Sequence, residues 1–121
     1  MRFVAFRSIF LFFLLLSLSN SILAQSIPSS TTHLYKNGIS LYDNGQFEEA
    51  KLSLQRFKQA NPEHELLIST DYYIVRSKAA IDSVNIESFY QDFILNHPGS
   101  DLSVLLLKDL GHRYTDNREY D

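Results

Sequence analysis

Cysteine and tryptophan are absent from the 121-residue chain, and methionine occurs once. Without cysteine there is no disulfide framework to hold a small exported domain together, and no lipid-modified N-terminal cysteine within this sequence. Stability has to come from packing. Basic residues are scarce too: 11 Lys and Arg stand against 14 Asp and Glu, a net charge of −3. A nucleic-acid ligand needs a Lys/Arg footprint to displace counterions from phosphates, so nucleic-acid binding is excluded. Glycine is sparse as well, with four single residues that the spacing places in turns or at helix contacts, and nothing resembles a phosphate-cradling loop or a G-x-S-x-G elbow. The composition points to a non-catalytic protein with no cofactor.

What is present begins with Arg2 and Arg7, an apolar stretch from Ile9 to Leu18, and a polar, small-residue segment up to Ala24. This is the order of a removable signal peptide. Its apolar part is about ten residues, half of the roughly 20 a membrane-crossing helix needs. Cleavage is expected after Ala24, with Ser21 as the alternative. Removing residues 1–24 takes away two arginines and no acid, which moves the net charge to −5. The protein is expected to be exported, periplasmic or outer-membrane-associated, with no stable membrane span after cleavage. Residues 25–32, QSIPSSTT, read as a tether, with Thr31 or Thr32 capping the first helix.

From His33 onward apolar residues recur at helical spacing, and nowhere do they alternate as in a half-buried strand. The fold class is all-α. Five helices are predicted: His33 to Tyr42, Phe47 to Ala60, Leu66 to Ile81, Ile86 to Asn96, and Asp101 to Tyr114. Breakers at Asn44-Gly45, Asn61-Pro62, Asp82 to Asn85 and Pro98-Gly99 separate them, and such short connections make consecutive helices antiparallel neighbours. Ser100 is placed to cap the fifth.

The chain also repeats. Leu54-Gln55-Arg56-Phe57 with Pro62 matches Tyr90-Gln91-Asp92-Phe93 with Pro98 at a shift of 36 residues. Gly38 and Gly111 are 73 apart, as are Phe47 and Tyr120, which follow Asp43-Asn44 and Asp116-Asn117. These residues resemble tetratricopeptide repeats, helix pairs of about 34 residues with a large residue, leucine-glycine and an aromatic on the first helix, then a small residue, an aromatic and a closing proline on the second. Leu107, Leu110, Gly111 and Tyr114 carry the first-helix pattern, Leu34, Gly38 and Leu41 part of it, and Ala50, Leu54, Phe57 and Pro62 the second-helix pattern. The middle repeat departs, with no glycine near Ile74 or Val75 and Ile86 in place of alanine, which implies a wider crossing. The long period and the bulky Phe57 and Phe93 are similar to the envelope subgroup of BamD and YbgF.

The resemblance implies a short right-handed solenoid of repeats over about 33–65, 66–100 and an incomplete 101–121, in which Asp116 to Asp121 form a turn and the start of a further helix. It implies the front portion of a longer envelope protein that binds another protein or peptide segment. An alternative is the docking arm of an envelope enzyme or transporter whose catalytic part lies beyond residue 121. The concave residues carried over are Tyr35, Ile39 and Tyr42 in the first repeat, Arg76 in the second, and Lys108 and His112 in the third. The Tyr-Ile-Tyr strip would dock an apolar segment, or else pack against the preceding tether or a capping element. His33, His64, His97 and His112 lack metal-site spacing and read as exposed loop residues. Glu48 and Glu49 read as complements of a helix dipole.

Overall fold

The computed structural model describes residues 31–118. The signal segment, residues 25–30 of the tether and Tyr120 lie outside the described residues. Within them the chain is all-α, without a strand.

Helix α1 covers 31–43, so Thr31 and Thr32 are already helical. This corrects the tether's end and the threonine cap: neither residue breaks the helix, whose apolar face starts only at Leu34. Its other end is set by Gly45, at φ 77°. The Gln46 amide donates to the Leu41 carbonyl and the Gly45 amide to that of Tyr42, at 2.9 and 3.0 Å. That left-handed glycine closure satisfies the last carbonyls and turns the chain back.

Helix α2, Phe47–Ala60, opens with Glu48 and Glu49 in its first turn, where negative charge complements the amide dipoles. It buries Ala50, Ser53, Leu54 and Phe57, a stripe at i, i+3, i+4, i+7. Ala50, Leu54 and Phe57 are completely enclosed. The stripe meets α1 at Gly38, where a Cβ would stand 2.5 Å from Leu54 Cγ. Ser53 locks the same crossing, donating to the Leu34 carbonyl at 2.8 Å and accepting from Asn37 at 3.3 Å. The helix stops before Pro62, with both the side-chain and backbone N–H of Asn61 on the Phe57 carbonyl.

Helix α3, Leu67–Ile81, lies at the centre and buries Thr70, Tyr72, Ile74, Ser77 and Ala79. Two of these are polar, and both hydroxyls fold back on the helix: Thr70 donates to the Leu66 carbonyl at 2.7 Å and Ser77 to that of Tyr73 at 2.8 Å. Satisfied in this way, they are as buriable as small apolar residues. A 3₁₀ turn, Ser83–Asn85, follows, held by the Asp82 carboxylate, which accepts from Val84 N and Asn85 Nδ2.

Helix α4, Ile86–Asn96, contributes Ile86, Tyr90 and Phe93 to the core. Helix α5, Asp101–Arg118, adds Ser103 and Leu106. Ser100 Oγ accepts from Leu102 N at 3.2 Å, the expected cap. Tyr72, Ala79, Ile86, Tyr90, Phe93 and Leu106 form one cluster that ties α3, α4 and α5 together.

Helix α5 runs through Asp116-Asn117, where a turn was expected. The reason is local. Two residues past Asp43 the chain has Gly45 to take the left-handed closure; two past Asp116 it has Arg118, a good helix former. Nor does Gly111 sit at a helix contact: a Cβ there would meet nothing within 4 Å. No helix of the described residues is long and apolar enough to cross a membrane.

Candidate functional site

A row of tyrosines with one arginine crosses α1, α3 and α4, and ends on an acid of α5. Tyr35 of α1 leans on Phe57, ring centroids 5.4 Å apart, and its hydroxyl lies 2.7 Å from Ser69 Oγ of α3. Two turns on, Tyr42 stands edge-on between Phe47 at 5.4 Å and Tyr73 at 5.2 Å. Ile39 is half-buried between them. Tyr73 in turn meets Tyr72 edge-on at 5.3 Å, and Arg76, one turn further, donates from Nη1 to the Tyr72 hydroxyl at 3.0 Å. Tyr90 donates to Asp109 Oδ2 at 2.8 Å, and Arg113 Nε reaches the same oxygen at 3.4 Å.

Charge is held firmly along this row. Burial works against the Arg76 cation, but the Tyr72 hydroxyl and the nearby Tyr42 and Tyr90 phenols outweigh it, so Arg76 stays charged. Burial raises the Tyr73 phenol, helped by Tyr35 and Asp43. Burial, then the hydrogen bond to Asp109, pushes Tyr90 up to about 12. For Asp109, burial would raise the carboxyl, yet Tyr90 and Arg113 together hold it below the usual range.

These shifts fix a pH dependence. Asp109 titrates lower folded than unfolded, so its contribution is whole above about pH 4 and fades as pH falls through the folded value. Tyr90 titrates higher when folded, so its contribution is whole below about pH 10 and is lost as pH rises toward 12. Tyr90 is 2% exposed, and the rise from about 10 to about 12 corresponds to roughly 3 kcal/mol. Tyr90→Phe is expected to lower thermal stability modestly at pH 7, by about 1 kcal/mol. It should also flatten the decline in Tm between pH 10 and 12. An unchanged alkaline decline would remove Tyr90 from the account.

Of the residues expected on a concave face, Tyr35, Ile39 and Tyr42 share one side of α1, and Arg76 lies beyond Tyr73 on α3. Tyr35 and Tyr42 are partly committed to packing against α2 and α3, so their exposed edges alone are open to a partner. Lys108 and His112 are exposed on α5 and make no hydrogen bond or ion pair with the rest among the described residues. Sequence reasoning missed Tyr72, Tyr73 and Asp109. The first had a signal: Tyr72 stands 37 residues after Tyr35, about one period.

The repeat positions divide by environment. Gly38, Ala50, Leu54, Phe57, Tyr90 and Phe93 are buried, Leu34, Leu41 and Leu110 half-buried, and Pro62 and Pro98 exposed in connections. Leu107, Gly111 and Tyr114 are exposed. The histidine reading needs correction at two positions. His64 packs edge-on against Phe57 at 5.2 Å, and His97 lies 4.7 Å from Phe93 and 3.3 Å from Asp71 Oδ2. Both are half-buried, because each follows a helix end that folds back over its last aromatic. Asp71 also takes Lys58 at 2.6 Å, which joins the ends of α2 and α4 through α3.

Comparison with protein-family models, curated proteins and solved structures finds no match. The repeat reading stands on the chain's own periodicity.

Proposed function

We propose that this protein is a non-catalytic binding module of the cell envelope, built from stacked helix pairs in the tetratricopeptide manner, which holds a segment of another protein. The observation that carries this reading is the row of half-exposed Tyr35, Tyr42, Tyr73 and Arg76 across adjacent helices. Tyrosine and arginine are the residues protein interfaces favour, since each offers a broad apolar surface with a polar end. The spacing of the core supports it too: Leu54 and Tyr90, and likewise Phe57 and Phe93, are buried at positions 36 apart. Export rests on the order of charge, apolar stretch and small residues before Gln25.

Photo-cross-linkers placed singly at Ile39, Arg76, Lys108 and His112 test the face. Controls at exposed Arg56 and Asp92 lie on other helices. In cells producing the full chain, one protein adduct common to the first set and absent from the controls is expected. Equal labelling at both sets would remove the face assignment. The mass of the mature chain tests export: processing should leave Gln25 or Ile22 as the first residue, and an intact Met1 or Arg2 end would refute it.

A further inference from the structure

Three connections of this chain start the next helical turn with the same device, a side chain that accepts the backbone N–H two residues on. Asp82 Oδ1 accepts from Val84 N and Ser100 Oγ from Leu102 N, both at 3.2 Å. At the head of α3 the acceptor is His64, whose Nδ1 takes the Leu66 N–H at 3.1 Å. A carboxylate or hydroxyl oxygen keeps its lone pairs across the neutral range. An imidazole nitrogen does not: it accepts only while it carries no proton, so this bond requires a neutral His64 with its proton on Nε2.

The start of α3 makes no provision for a cation. Helices α2, α4 and α5 each carry an acid in the first turn, Glu48 and Glu49, Glu87, and Asp101, whereas α3 carries none. Its N-cap position is Leu66, with no side-chain bond. The amide dipoles at that end meet a protonated His64 unopposed, which is unfavourable. Glu63 and Glu65 flank it in the chain but are exposed, and no ion pair reaches its ring among the described residues. On the helices packed here, Lys58 of α2 and Asp71 of α3 are engaged with each other at 2.6 Å, and Tyr35 of α1 shares Phe57 with the imidazole.

We propose that His64 is an acid-sensitive latch on the α2–α3 connection, whose protonation breaks the bond to Leu66 and frees the first turn of α3. Both supports of Tyr35 border on this residue. Tyr35 packs on Phe57, which His64 braces at 5.2 Å, and its hydroxyl meets Ser69, in the turn that the latch holds. Acid therefore loosens the Tyr35 end of the tyrosine row by local opening, with the rest of the fold kept. His97 answers in the opposite sense. Its Nε2 lies 3.3 Å from Asp71 Oδ2, so a proton there strengthens the tie between α4 and α3, in a groove whose other charges are Lys58, Lys78 and Asp92. The loosening is confined to one connection. The latch stands whether or not the tyrosine row binds a partner.

Nuclear magnetic resonance on the full chain tests it. At about pH 8, above the range where histidine gains its charge, the His64 ring should carry its proton on Nε2. Between about pH 8 and pH 5, hydrogen-exchange protection of the Leu66 amide should fall about threefold or more, the effect of one lost hydrogen bond, while that of the Leu54 and Tyr90 amides holds. His64→Asn places a side-chain oxygen at the same two-residue reach, and should abolish the change while keeping the protection seen at the higher pH. His64→Leu, with no acceptor, should be weakly protected at both. His97→Gln should leave the response intact. A proton on Nδ1 of neutral His64 would overturn the proposal, as would an acid response that is unchanged in His64→Asn or lost in His97→Gln.

Discussion

Phe57→Ala is expected to lower the stability of the domain by about 3–5 kcal/mol, the range for emptying a fully enclosed aromatic site. Phe57 has no exposed surface, and three segments of the chain meet on it. Tyr35 of α1 packs on it from one side and His64 of the following connection from another. Its carbonyl also holds both N–H groups of Asn61 at the helix end. Truncation leaves those neighbours around a void that α2, pinned at Gly38 and Ser53, cannot close. A domain of under 100 residues has roughly 5–10 kcal/mol in total, so the midpoint of thermal unfolding should fall by about 15–30 °C. Phe57→Leu, which keeps most of the volume, should lose much less. Leu95→Ala, on a side chain 77% exposed, is the control and should change stability by under about 0.5 kcal/mol. Equal losses at positions 57 and 95 would mean that the core has been misplaced.

Much of the architecture was legible because the chain is punctuated. Helices α2 and α4 begin and end where the spacing put them, each closed by a proline that cannot donate an N–H. Boundaries failed where the stop signal was ambiguous. Asp43-Asn44 and Asp116-Asn117 look alike, yet only the first is followed by a glycine able to take positive φ. At the other end, Thr31 and Thr32 are as compatible with a first helical turn as with a cap, and sequence alone does not choose.

The site was less legible, for a different reason. Helical periodicity gives the angular position of Tyr35, Ile39 and Tyr42 on α1, but not which neighbour occupies that side. It is α3, through Ser69 and Tyr73, that takes up part of the strip. That information lies in tertiary placement and not in α1. Likewise Asp109 gave no signal as a partner of Tyr90, because the two are 19 residues apart on different helices. The histidines misled in the same way: loop positions are usually solvated, but His64 and His97 fold back onto Phe57 and Phe93.

Gly38 and Gly111 give the sharpest test of how far a motif fixes its environment, since the expected repeat pattern pairs them at a spacing of 73 residues. Gly38→Ala is expected to destabilise by about 1–2 kcal/mol. Its Cβ would stand 2.5 Å from Leu54 Cγ and 2.7 Å from Cδ2, and Leu54, wholly enclosed between Ala50 and Phe57, has no space to turn into. Overpacking of that kind costs about 1–3 kcal/mol, against which alanine regains up to about 1 kcal/mol of helix propensity. At Gly111 nothing opposes the gain, so Gly111→Ala should stabilise the domain by up to about 1 kcal/mol. The cause can be isolated. Leu54→Ala alone should cost about 2–5 kcal/mol, but with the side chain gone, Gly38→Ala becomes neutral or favourable. The two substitutions should therefore couple by about 2 kcal/mol in a denaturant-midpoint cycle. Additive losses would show that Gly38 is needed for its backbone and not for the closeness of α1 and α2. Coupling at Gly38 beside a gain at Gly111 would show that one sequence motif serves two surroundings, one filled by α2 and one open along α5.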